Sequence, residues 1–345
     1  MTAPGTALKG MRVLDLSQQL PGPYATLLLA SLGATVTKVE PPGGDPARRL
    51  DPEMFERVNA GKGAVTVDLK SPEGRERLYG LLAEADVFVE SFRPGVTARL
   101  GCDAPTLHRL RPGLVYCSLS GVGQRGPLAN TPVHDLSLQA MAGVLDGAPR
   151  VERVGVPWVD LAAGTSAALA ITAAWRAGEG CHLDMSLLDA ALGWAEVKPS
   201  AVSGGVEPTY GTFRTADGAT VVLALLEDAM WRRLCTALGW DDWADDPGLA
   251  GYADRRLRGP EVRERLERAL AARELTELVE LARRYDLPLD TADGSDPEVA
   301  AQVALRRRPE HGAWRGCVPL PEPLVGRLSP APPRAPDRPG PGPDD

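Results

Sequence analysis

MRVLDLSQQLPGPYATLLLASLGATVTKVE (11–40) reads as one strand–helix–strand unit, and it decides the fold class. MRVLDLS (11–17) is a short apolar run of the length expected for a buried strand. PYATLLLASLG (23–33) changes to helical spacing and closes at Gly33, a residue suited to the left-handed turn that ends helices. TVTKVE (35–40) returns to strand character. The same alternation continues outward. AVTVDL (64–69) is a strand, and SPEGRERLYGLLAEA (71–85) is a helix with Ser71 at the N-cap and Pro72 at N1. DVFVES (86–91) and LVYCSLS (114–120) are further strands. Strands alternating with helices predict an α/β fold, a Rossmann-like parallel sheet covered on both faces.

Residues 134–145 and 159–176 read as two more helices, and CHLDMSLLDAALGWA (181–195) as a strand running into a helix. Beyond residue 197 the character changes. PTYGTFRTADGATVVLALL (208–226) is a hairpin with Asp217 and Gly218 at its turn. DAMWRRLCTALG (228–239), GPEVRERLERALAA (259–272) and LTELVELARRY (275–285) are amphipathic helices. The expected organisation is a large domain over 1–197, a smaller α/β domain over 198–300, and a return segment over 301–328. A Pro- and Gly-rich tail over 329–345 is expected to be disordered.

A net charge of −8 argues against a nucleic-acid partner, which needs a basic face. The five cysteines are widely spaced, with no zinc-type or CxxC pair, so free thiols and no metal are expected. The start lacks a secretory pattern. The longest apolar run, 159–175, carries Asp160 and is too short and too polar to span a bilayer. A cytoplasmic protein with no membrane association is the expectation.

Four sites stand out. The turn SLSGVGQRGP (118–127) follows a strand, where Gly121, Gly123 and Gly126 allow a close backbone approach to a ligand or simply make a turn. His134 and Asp135 lie at the start of a helix, where a histidine and free N–H groups can face an oxyanion; a capping Asp135 beside an incidental histidine explains them equally. Asp160 stands among Trp158, Val159, Leu161, Ala162 and Ala163, and a carboxylate in such company either caps a helix or does chemistry. Glu227 sits between a strand and a helix, where an acid also suits the helix dipole. Lys38, Lys62 and Arg93 each lie at or after the end of a strand and together could meet a polyphosphate, although surface solvation is the ordinary fate of each alone.

Taken in order, these segments resemble the class III CoA-transferase family, which includes formyl- and succinyl-CoA transferases and α-methylacyl-CoA racemases. The resemblance is carried by 20–48, by 59–96, by LVYCSLSGVGQRGP (114–127) and by VHDLSLQAMAGV (133–144). It continues through VPWVDLAAGTSAALAITAA (156–174), CHLDMSLLDA (181–190) and YGTFRTADG (210–218). The resemblance implies an interlocked homodimer with an acyl-CoA substrate, coenzyme A being part of that substrate and no separate cofactor being needed. It implies nucleotide contacts from Lys38, Lys62 and Arg93, with Gly121, Gly123 and Gln124 nearby. Asp160 matches the family's catalytic aspartate. His134 matches the racemase histidine, Glu227 the glutamate that pairs with it, and Asp135 the residue whose N–H binds the thioester oxygen. Racemisation of 2-methylacyl-CoA thioesters, with His134 and Asp160 on opposite faces of an enolate, is the first expectation. CoA transfer through an Asp160 acyl intermediate is the alternative. A non-catalytic CoA-binding role is a third.

Overall fold

The computed structural model describes residues 6–145, 155–197, 207–292 and 296–307. They form two compact units, one ending at residue 197 and the other beginning at 207.

The first unit is built on a six-stranded parallel sheet. Its strands are β1 (Arg12–Asp15), β2 (Thr35–Glu40), β3 (Gly63–Thr66), β4 (Val87–Glu90), β5 (Val115–Ser120) and β6 (Cys181–Ser186). They lie in the order β3-β2-β1-β4-β5-β6. From β1 the chain first moves one way across the sheet, and from β4 it moves the other way. The carboxyl ends of β1 and β4 therefore flank a crevice, the place where open sheets of this order hold ligands.

Helices cover both faces. On one, Leu27 and Leu29 of α1 (Pro21–Ser31) and Ala163 and Ala167 of α8 (Trp158–Ala177) pack over Val13, Val87 and Val115. On the other, Leu78 and Leu82 of α4 (Pro72–Leu82) and Leu107 of α6 (Ala104–Leu110) pack over Leu14, Phe88 and Tyr116. The Ser71 hydroxyl accepts the Gly74 N–H at 2.9 Å, as the capping pattern requires. Short helices α2 (Ala47–Leu50), α3 (Pro52–Val58) and α5 (Val96–Leu100) occupy connections that the sequence left without elements. The helix expected over 134–145 is only α7 (Asp135–Met141), and α9 (Leu187–Val197) follows β6.

One crossover is unusual. The β1-to-β2 and β5-to-β6 connections travel in opposite directions across the sheet, yet α1 and α8 lie on the same face. The two crossovers therefore have opposite hands, although one hand is nearly universal. The consequence is that α8 lies directly against α1. Both helices lead from the carboxyl end of one strand to the amino end of the next, so they run parallel, with both N-termini at the crevice end.

The second unit has an antiparallel sheet of β7 (Tyr210–Arg214), β8 (Thr220–Ala224) and β9 (Leu289–Thr291). The first two form the expected hairpin, with Gly218 at φ +80° in its turn. Around the sheet lie α10 (Asp228–Leu238), α11 (Asp241–Ala244), α12 (Tyr252–Leu257), α13 (Gly259–Ala271), α14 (Leu275–Tyr285) and α15 (Pro297–Arg307). Trp231, Leu234, Leu266, Leu270 and Leu278 fill its core. Helix α15 runs through residue 300, where the smaller domain was expected to end. Most of the 301–328 segment, all of the 329–345 tail and Cys317 lie outside the described residues. The other four cysteines are free thiols. Among the described residues no helix is long and apolar enough to cross a membrane.

Candidate active site

Asp160 is the third residue of α8, at the crevice end of the sheet. The residue before the helix is Pro157, which has no side-chain acceptor to cap it. The cap comes instead from α7. Asp135 is buried, and its Oδ1 accepts the N–H of Val159 at 2.8 Å and of Asp160 at 3.1 Å. These are the N2 and N3 donors that a capping acceptor normally satisfies. Its other oxygen accepts from the Gln139 amide at 2.5 Å. Asp135 thus fixes the start of α8 and brings a second carboxylate up to Asp160. Burial, with Asp135 beside it, pushes the Asp160 carboxyl up to about 7. At neutral pH about half of such groups are ionised, and the ionised form is more nucleophilic than an ordinary aspartate.

Gly164, one turn further along α8, sets the depth of the site. A Cβ there would lie 2.7 Å from the Pro21 carbonyl oxygen and 3.0 Å from the Tyr24 ring. Only glycine lets α8 approach the first turn of α1 so closely. Because the helices run parallel, Asp160, one turn before Gly164, stands about 6 Å further toward the crevice, on the side where the turn over residues 17–20 leads into α1. Side chains from three places hold that turn. Ser17 N–H donates to Asp15 at 3.0 Å, Gln18 N–H to the Ser91 hydroxyl at 2.8 Å, and Gln19 N–H to Asp45 at 3.4 Å. Ser91 follows β4, so the Gln18 bond ties the two lips of the crevice together. Next to it, burial pushes the Glu90 carboxyl up to about 6, against the Ser118 hydroxyl and the Phe92 N–H.

Of the three candidate cations, two point inward. Lys38 donates to the Ser17 carbonyl at 2.5 Å and to Asp45 at 2.8 Å, with both charged groups buried. Lys62 donates to Asp15, the Pro23 carbonyl and Asn59, each at 2.9 Å, which uses all three ammonium protons. Both cations are spent inside the protein, and the expectation that they reach a nucleotide is corrected to a role in holding the crevice. Arg93 differs. It is exposed, two residues past Ser91 at the lip, and among the described residues it makes no ion pair.

The glycine loop is a built turn. A Cβ on Gly121 would lie 2.2 Å from Val133, so its open face is filled by the chain itself. Gly123 takes φ +86°, and the Gln124 N–H donates to both oxygens of Asp184 at 3.1 Å. This loop packs the segment before His134. His134 itself is exposed at the N-cap of α7, immediately before the residue that caps α8. Asp160, Asp135 and His134 are therefore brought to one end of the sheet. Glu227 belongs to the second unit, exposed at the N-cap of α10 with no capping bond from its side chain.

The family model of CoA-transferase family III matches residues 8–315. This chain belongs to CoA-transferase family III. It is therefore an enzyme of that family. The family III chain is 33% identical over 330 residues to acetyl-CoA:oxalate CoA-transferase of Acetobacter aceti, covering 86% of this chain and 84% of that protein. It is 36% identical over 293 residues to succinate–glutarate CoA-transferase of Agrobacterium fabrum, with 74% and 72% covered. Among solved structures, Rv3272 from Mycobacterium tuberculosis superposes with a TM-score of 0.77 at 33% identity, covering 87% of this chain and 88% of that one. The curated relatives named here are CoA-transferases, which sets the racemase expectation second. Sequence reading of this family III chain missed Gly164 and the side chains that pin the 17–20 turn, and it offered Asp135 as a helix cap without showing that the helix it caps is α8. The Ala-Ala-Gly run at 162–164, one turn after Asp160, was the one available signal of a close helix approach.

Proposed function

We propose that this enzyme transfers coenzyme A from an acyl-CoA donor to a free carboxylate, with Asp160 as the nucleophile. The observation that carries the reading is the Asp160 carboxyl, held at the start of α8 at the crevice end of the sheet and raised to about 7. An Asp160 oxygen adds to the thioester carbonyl carbon, and the C–S bond breaks to release CoA thiolate and leave a mixed anhydride. The thiolate then attacks the Asp160 carbonyl carbon, freeing the donor's carboxylate and forming an aspartyl thioester. The acceptor carboxylate repeats these steps in reverse, and Asp160 is regenerated. Arg93 at the lip is the cation best placed to meet the nucleotide end of CoA. The transferase names of the relatives support the same chemistry. The enzyme works as a homodimer of interlocked chains, a reading supported by exposed apolar side chains on α7 and α9: Leu136, Met141, Leu192, Trp194 and Val197.

The test is a panel of acyl-CoA donors and free carboxylates, run beside α-proton exchange in deuterated water. Transfer by the wild type, retained in His134→Ala and reduced by about 10³-fold or more in Asp160→Ala, is expected. Exchange of the α-proton without transfer, abolished in His134→Ala, would establish the racemase instead.

A further inference from the structure

Among the described residues two non-glycine residues have a positive φ, Asp286 at +52° and Gln19 at +66°. Asp286 closes α14 at its C-cap, an ordinary place for a left-handed aspartate. Gln19 has no such excuse. It ends no helix, and glutamine does not belong to the small group of residues that adopt this backbone readily. Strain of this kind persists only where the surroundings over-determine it, and it gathers at working sites.

The surroundings here do over-determine it. Asp45, which accepts the Gln19 N–H, is fixed by the Lys38 ammonium and by the Ala47 N–H at 2.9 Å. Lys38 also grips the Ser17 carbonyl, two residues before Gln19. Asp15 and Ser91 take the two N–H groups that precede it. A buried ion network thus bends the backbone into an unfavourable region at the crevice between β1 and β4. What it delivers there is one exposed carboxamide, which has no partner among the described residues. Gly164 packs against the Pro21 carbonyl, two residues after Gln19, and Asp160 lies one turn before Gly164 on α8, toward the crevice.

We propose that Gln19 is a catalytic residue whose side-chain N–H donates to the oxygen of the carbonyl under attack by Asp160. The inference rests on the transferase reading. When an Asp160 oxygen adds to the thioester carbon, the carbonyl electron pair moves to its oxygen, and the Gln19 carboxamide stabilises that oxyanion without exchanging a proton. The same donor serves each later addition on the aspartyl carbonyl. A donor fixed in advance acts more strongly than one that must reorganise, which gives the strained backbone its use.

The experiment compares full-length wild type, Gln19→Gly and Gln19→Asn by steady-state CoA transfer and by melting temperature. Glycine removes both the strain and the amide. The expected result is a Tm equal to or above that of the wild type, with kcat lower on the order of 10²-fold and KM for the acyl-CoA little changed. Asparagine accepts the left-handed backbone and keeps a shorter carboxamide, so it recovers part of the lost kcat. A Gln19→Gly enzyme with wild-type kcat overturns the proposal while leaving the transferase reading intact. A Gln19→Gly enzyme that melts lower than the wild type overturns it too, since the residue would then be structural. Wild-type enzyme that transfers CoA between no donor and acceptor overturns both.

Discussion

Asp160 occupies the third position of a helix, where the dipole ordinarily helps an acid to ionise. Burial and the neighbouring Asp135 outweigh that help and raise the carboxyl to about 7. A nucleophile must be ionised, so kcat/KM should rise with pH through about 7, falling about tenfold per pH unit on the acid side. Asp135→Asn keeps a capping oxygen for Val159 and Asp160 but removes the like charge. Its ascending limb should move to lower pH, while burial holds it above the ordinary 3.8 of an aspartate; a pH–rate profile of both proteins reads this directly. An unmoved limb would mean that burial alone sets the ionisation. Asp160 stood out in the sequence as a lone acid in an apolar run, which capping or chemistry could explain, and the family resemblance was what marked it as catalytic. Lys38 and Lys62 were misread for the complementary cause. Their partners, Asp15 and Asp45, lie at distances along the chain that no spacing rule connects, so two buried cations looked like surface ones.

The elements divide in the same way. Long periodic segments such as 23–33, 71–85 and 275–285 gave α1, α4 and α14 within a few residues, since a helix several turns long repeats its apolar face. The helices α2, α3 and α5 are too short to show a repeat. The hand of the β5-to-β6 crossover was also beyond reach, because it depends on which face α8 packs against, and its contacts there, Gly164 against α1 among them, join residues far apart in sequence. Beneath the crevice, Asp15 lies between two cations. Burial alone would raise its carboxyl, but Lys62 and then Lys38, with the hydroxyls of Ser17 and Thr26, hold it well below the usual carboxylate range. Lys62→Met removes the closest counter-charge from a buried carboxylate at similar side-chain volume. A loss of about 3–5 kcal/mol in unfolding free energy is expected from denaturant titration at neutral pH. A loss below about 1 kcal/mol would mean that the network contributes no more than an exposed ion pair.

At the scale of the molecule, the first unit exposes Trp194, Val197 and Leu192 on a single helix, α9. Apolar side chains in such number on one element are unusual on a free surface. Covered by a second chain, they would make association a condition of stability. Sedimentation should then report a dimer even at nanomolar concentration, and dilution should yield unfolded chain instead of a compact monomer. A folded monomer would contradict the interlocked assembly. Neither the extension of the second unit to the end of α15, past the expected boundary at residue 300, nor the assembly could be read from periodicity, since both depend on contacts between residues far apart in sequence.

In the proposed cycle Asp160 carries the acyl group and then the CoA. In that chemistry the acceptor leaves one of its carboxylate oxygens on Asp160. The tryptic peptide 154–176 contains Asp160 as its sole acidic side chain, so its mass isolates that carboxyl. The enzyme should be turned over with an acyl-CoA donor and an acceptor labelled with oxygen-18 in its carboxylate, then digested and weighed. The 154–176 peptide is expected to gain the mass of one oxygen-18 substitution after a single turnover and of up to two after many, only when donor and acceptor are both present. CoA transfer to the labelled acceptor with no label in that peptide would contradict it.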